Sequence, residues 1–295
     1  MTILPAPWDG WPVSTRPAGD DSRGMRSIAR RLSPLAFAFI LVVGLAPAAT
    51  AADTTSVSAA SISAAEKSVL TLTNRRRASA GLVALRWDSR LAGLARERAA
   101  YMAKTGEFSH TESNGTTVFD MIEAADITWY GAGEIIAWNT AAALDYSAAF
   151  AVQGWMGSPT HRAIVMSKGY NYVGFGLAIS SSGKRYWAGV YLKGPDRTGA
   201  WAKMVSVSKT TLSSTYVRVT LKWRGGDTRL QVLTSGFRYY QIQRRRNGTY
   251  WYDYGITTGT STARRWYRNS TYEFRVRSRD RAGNWGAWTV TIIKT

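Results

Sequence analysis

The sequence predicts an α+β chain in two parts: a layered α-β-α domain, then an all-β sandwich. Three observations carry that prediction. Between residues 63 and 166 apolar residues recur at helical spacing and end in a strand pair. Beyond residue 201 every segment alternates apolar and polar side chains with period two. Between them, residues 195–201 mark a change in composition and charge. The 295 residues suffice for two domains, each with its own core.

The first signal belongs to export. Residues 1–24 precede it without pattern and read as an upstream-start artefact. Residues 25–51 read as a signal peptide. Arg26, Arg30 and Arg31 give the positive start, residues 35–45 the apolar run, and Ala49-Thr50-Ala51 the cleavage site. The apolar run is short for a membrane span of ~20 residues. A linker follows over 52–62, then the layered domain over 63–194, a second linker over 195–208, and the sandwich over 209–295.

In the layered domain Ser63-Ala64-Ala65-Glu66 is a capping box and predicts a helix start. Gly81 closes that unit. Asp88 or Ser89 caps a second helix, in which Leu91, Leu94, Ala95, Arg98, Tyr101 and Met102 share one face up to Gly106. Helices are predicted over 117–125 and 141–156, and Ser158-Pro159 restarts a helical turn. Strands follow over 172–180 and 185–192. In the sandwich, Val217, Val219, Leu221 and Trp223 alternate with Arg218, Thr220 and Lys222, and Tyr272, Phe274 and Val276 with Glu273, Arg275 and Arg277. Asn247-Gly248 signals a tight turn. Such strands form an antiparallel sandwich with one wet face.

The chain has no cysteine, so both cores must hold by burial alone. Export without cysteine fits a bacterial protein, secreted or associated with the cell wall. Charge is uneven. Residues 205–295 hold 17 basic and four acidic residues, a difference of +13 within a net charge of +19. An electrostatic partner should therefore meet the sandwich first.

In order along 66–193 stand Leu72-Thr73-Asn74-Arg75, Leu85-Arg86-Trp87-Asp88, Phe108-Ser109-His110, Gly133-Glu134-Ile135-Ile136-Ala137, Trp155-Met156-Gly157-Ser158-Pro159-Thr160-His161-Arg162 and Val173-Gly174-Phe175-Gly176. This set resembles the bacterial branch of the CAP superfamily (SCP/PR-1-like). Trp223, Tyr240, Tyr272 and the run from Phe274 to Asn284 resemble fibronectin type III, with Trp223 and Tyr272 as core anchors and Tyr272 bonding backbone at a corner.

The CAP resemblance implies a cleft where His110, Glu134 and His161 converge. Two imidazoles and a carboxylate are a known zinc set with one open position, so zinc or another divalent metal is the possible cofactor. The same three residues are the candidate catalytic groups, since imidazole titrates near neutrality. Against catalysis, the resemblance calls for a second Glu, and between Glu134 and Pro195 the only carboxylate is Asp145. Ile135 and Ile164 stand where the family carries Asn, which makes the cleft more apolar. The expected function is thus binding of a small or lipidic ligand, with a secreted hydrolase as the alternative. In the sandwich, Arg275, Arg277 and Arg279 should share a face with Arg245 on a neighbouring strand. The expected partner of these arginines is an anionic cell-wall polymer or polysaccharide, with membrane contact only peripheral. Export argues against nucleic acid. A third reading makes this basic sandwich the functional module.

Overall fold

The computed structural model describes residues 57–295. The expectations for 1–24, the signal peptide 25–51 and the start of the linker lie outside the described residues. Helix α1 spans Ala59–Ser79, starting five residues earlier than a capping box with Ser63 as its cap indicates. Its cap is Ser58, whose hydroxyl accepts from the Ser61 amide at 3.1 Å. Glu66 is not a capping side chain. It is fully buried and binds Arg96 at 2.8 Å, an ion pair that local pattern does not reveal.

Helix α2, Ser89–Thr105, starts at Asp88, which accepts from the Arg90 amide, and stops at Gly106 in the left-handed conformation. Helix α3, Val118–Ala124, carries a capping box between Thr117 and Asp120. Helices α4, Leu144–Gly157, and α5, Pro159–Val165, meet at Ser158, which holds the cap position with no side-chain bond. Four strands complete the domain: β1 Arg86–Trp87, β2 Gly131–Asn139, β3 Tyr172–Ile179 and β4 Arg185–Lys193, in the order β1-β3-β4-β2.

Strand geometry sends alternate residues to opposite faces, and the two faces fill two cores. Ile135, Val173, Phe175, Leu177, Trp187 and Tyr191 pack with Val69 of α1 and Val152 and Trp155 of α4. Ile136, Tyr172, Tyr186, Ala188, Val190 and Leu192 pack with Leu91 and Met102 of α2 and Ile122 of α3. The result is the expected α-β-α layering. Helix α2 lies directly on β3 because that strand is Gly174-Phe175-Gly176. A Cβ on Gly174 would stand 2.1 Å from the Ala92 nitrogen, and one on Gly176 2.2 Å from the Arg96 nitrogen.

The all-β part begins inside the expected linker, with β5 at Trp201–Thr211. Strands β6 Tyr216–Gly226 and β9 Ser261–Tyr267 join β5 in one sheet, ordered β5-β6-β9. Strands β7 Phe237–Arg246, β8 Tyr252–Thr257, β10 Thr271–Asp280 and β11 Thr289–Lys294 form the other, ordered β11-β10-β7-β8. Val219, Leu221, Trp223, Ile242, Tyr272, Phe274 and Val276 fill the space between them. Tyr272 is fully buried, and its hydroxyl accepts from the Tyr267 amide at 3.0 Å, which is the expected corner.

A loop of the all-β part reaches back to the first domain. Leu230 packs into the α2-side core. Gln231 accepts from the Val83 amide at 2.8 Å, and Asn171 donates to the carbonyls of Gly194 and Val232.

Candidate functional site

Site assembly starts with Arg98. It lies on the apolar face of α2 and is fully buried. A guanidinium there needs acceptors for its donors. Nε donates to Glu134 Oε1 at 2.9 Å, one terminal nitrogen to Glu112 Oε1 at 2.8 Å, and the other to the Ser109 carbonyl at 2.6 Å. Burial opposes its charge, but Glu134 and then Glu112 more than compensate and raise its pKa above the usual arginine value. Arg98 thereby fixes both the Glu134 side chain and the loop that carries His110.

Glu134 sits mid-strand on β2, on the α2 side of the sheet, with its side chain 3% exposed. Its other oxygen, Oε2, is 2.7 Å from His110 Nδ1. Against a carboxylate that nitrogen is the donor, so in the neutral tautomer it is Nε2 that carries the lone pair. The His110 loop is held by an isolated bridge between Thr111 and Thr117 and by the Glu112 amide donating to the Thr116 carbonyl at 2.9 Å. His161 arrives from the opposite layer, on α5, which packs on β2. The two imidazole rings are 6.4 Å apart between centroids and tilted by 40°. Burial first, and the nearby His110 second, lower the His161 pKa. Trp155 of the same motif is structural. It is buried, and its indole donates to the Ile136 carbonyl at 2.9 Å, locking α4 to β2.

The three residues singled out by sequence therefore share one locality, with Glu134 bound at both oxygens. Sequence reasoning missed Arg98 and Glu112, which pair with one another beside Glu134. The available signal was an arginine at an apolar-stripe position of α2. Two surface hollows, of ≈ 370 and ≈ 380 Å³, lie elsewhere, one beside Trp87 and Arg197, the other beside Arg245 and Tyr250. Among the described residues, one trio of acidic or metal-binding side chains has donor atoms all within 4.8 Å, and it is Asp196, Asp227 and Asp280 at the junction. Backbone amides of Thr198, Ser235, Gly236 and Asn284 bond these carboxylates.

In the sandwich, Arg275, Arg277 and Arg279 of β10 do share a face with Arg245 of β7. That face is not an open cationic patch, because the guanidinium groups interleave with tryptophans. Arg275 lies 3.9 Å from the Trp251 ring centroid and 4.4 Å from Trp288; Arg277 lies 4.4 Å from Trp288 and 4.0 Å from Trp285. Arg245 stacks on Trp251 and Arg279 on Trp285. Each also donates within the protein: Arg275 to Gln243, Arg277 to Gln241, Arg245 to Glu273 and Arg279 to Tyr239 and the Gly283 carbonyl. Trp285-Gly286-Ala287-Trp288 following an arginine-alternating strand was the overlooked signal.

Comparison with known proteins agrees with the first domain. Residues 70–191 match the profile of CAP, the cysteine-rich secretory protein family. The chain is 34% identical over 112 residues to the Bacillus subtilis protein YlbC, described as an uncharacterized membrane protein, and 33% identical over 130 residues to the uncharacterized Bacillus subtilis protein YkwD. These alignments cover 38% and 44% of this chain, and 31% and 49% of those relatives. A solved extracellular protein containing an SCP domain, from Bacillus anthracis, aligns at 23% identity and a TM-score of 0.40, covering 44% of this chain and 41% of that one. Among the described residues, no helix is long and apolar enough to cross a membrane.

Proposed function

We propose that this chain, with its CAP domain at residues 70–191, is an extracellular binding protein whose cleft presents His110 and His161 to a ligand while the basic sandwich holds it to an anionic surface. The observation that carries the first half is the His110–Glu134 bond at 2.7 Å. It places a proton on Nδ1 and points the Nε2 lone pair away from the carboxylate. His161, kept neutral by burial, offers a second lone pair across a ring separation of 6.4 Å. Two imidazoles with a carboxylate orienting one of them are a donor set that fits a divalent transition metal. His110 and His161 would hold it, and Glu134 would orient His110 instead of ligating. A bound metal would supply a Lewis-acid position for an oxygen-bearing small ligand.

Hydrolysis is the weaker reading. His110 Nε2 could act as a base, but Arg98 and His110 between them occupy both oxygens of Glu134, so Glu134 is not free to take part as a second acid or base. Calorimetric titration of Zn²⁺ into the full chain tests the binding half. One ion per chain is expected, with affinity falling roughly 10- to 100-fold in Glu134→Gln and further in His110→Ala. Unchanged affinity in both His110→Ala and His161→Ala would overturn it, and a peptidase or esterase activity lost in His110→Ala would favour the hydrolase.

A further inference from the structure

Beside the stacked and hydrogen-bonded ladder arginines, a surface attachment can draw on other cations. The sheet β5-β6-β9 supplies them. Its outward face carries Lys203 on β5, Arg218, Lys222 and Arg224 on β6, and Arg265 on β9, all exposed, with Arg265 also resting 4.5 Å from the Tyr216 ring centroid. Residues 201–226 and 261–267 contain no Asp or Glu. None of the salt bridges among the described residues involves these five side chains. Ser206, Ser208, Thr220 and Ser261 lie between them in register on the same face.

The register adds a second observation. Lys203 stands directly opposite Arg224, and Arg218 directly opposite Arg265. Like charges at such positions repel and weaken a sheet. Two such pairs on a three-stranded sheet contribute nothing to its own stability, and an anion laid across the strands relieves both. Arginine forks match phosphate oxygens, and the intervening hydroxyls donate to them. The aromatic rings of this face sit at its two ends, Trp201 beside Gly226 at one and Tyr216 paired with Tyr267 at the other, so no run of rings lies among the cations to stack successive bases.

We infer that the outward face of β5-β6-β9 binds a linear, base-free phosphate polymer at the cell surface. This rests on the attachment half of the function proposed above. Five cations spread over three strands contact several phosphates at once, so affinity is multivalent and salt-dependent.

The test is binding of the full chain to long-chain inorganic polyphosphate as a function of salt, against phosphatidylglycerol vesicles. The variants are Arg218→Gln/Lys222→Gln/Arg224→Gln and, as control, Arg275→Gln/Arg277→Gln in the tryptophan ladder. The wild type should bind polyphosphate with log K falling linearly in log salt. The triple variant should bind at least about tenfold more weakly, with a slope shallower by roughly 2, at about 0.7 per cation removed. Its melting temperature should be no lower than that of the wild type, since repulsion is removed, so lost binding reads as lost contact. The ladder control should retain binding wherever it stays folded. A triple variant that binds as tightly as the wild type overturns this face assignment and leaves the attachment reading standing. Wild-type protein that ignores polyphosphate even at low salt overturns both. Capture by vesicles alone overturns the polymer in favour of a membrane surface.

Discussion

Replacing Glu134 by Leu should destabilise the first domain by about 3 kcal/mol, and the reason lies in Arg98. The two side chains are 0% and 3% exposed and meet at 2.9 Å. At an effective dielectric near 20 their attraction is about 6 kcal/mol, most of it spent against desolvation of the two charges. Breaking such a pair from one side costs ~3–5 kcal/mol, because an unpaired charge stays buried. Here Glu112 at 2.8 Å and the Ser109 carbonyl at 2.6 Å remain as acceptors, which sets the lower end of that range. Urea unfolding followed by tryptophan fluorescence reads the loss as a fall of about 1.5 M in midpoint, for a slope near 2 kcal/mol/M. Arg98→Met alone should also destabilise, since it strands Glu134 and Glu112. The double variant should then lose less than the sum of the two, giving a coupling of about 2–3 kcal/mol. A Glu134→Leu loss under about 1 kcal/mol, or a coupling near zero, would show that Arg98 does not depend on Glu134. The account of how the His110 loop is fixed would then fail.

Two further outcomes follow from the geometry. Gly174→Ala should prevent α2 from seating on β3, since its new methyl would stand 2.1 Å from the Ala92 nitrogen; loss of cooperative unfolding, or destabilisation beyond about 3 kcal/mol, is expected, and near-wild-type melting would refute the close approach. His161 contributes a pH dependence: its folded pKa lies below its unfolded value near 6.5, so the unfolded chain takes up the proton first. Stability from this group is complete above roughly pH 6.5 and is lost as pH falls through the folded pKa. His161→Gln should flatten the decline in melting temperature on that acid side, and an unchanged profile would place the titration elsewhere.

Much of the fold was legible because caps and periodicity are local. Asp88, Gly106 and Thr117 stand at helix boundaries, and Tyr272 makes its corner bond. Strand β2 was not legible as a strand, because four consecutive residues, Gly133 to Ile136, are buried and alternation vanishes when both faces are covered. The start of α1 was misread for a related reason. Ser63-Ala64-Ala65-Glu66 has the composition of a capping box, but Glu66 faces inward to Arg96, 30 residues away, and composition does not say which way a side chain turns.

The same distinction separates the two functional surfaces. Sequence alternation placed Arg275 and Arg277 correctly on one face, and positive charge suggested an anion for them. Tryptophans from the 285–288 run and Trp251 lie against those guanidinium groups, with Arg275 and Arg277 each between two rings at 3.9–4.4 Å. A face assignment is a short-range property of the strand, whereas a partner is set by whichever segment returns to cover it. On β6 no segment returns to cover Arg218, Lys222 and Arg224, and the register sets further cations beside them. Net charge alone treats the two faces of this sandwich as equivalent. Neighbours separate them: one set of arginines lies against the protein's own aromatic rings and amides, and Arg218 and Arg224 stand exposed beside Lys222.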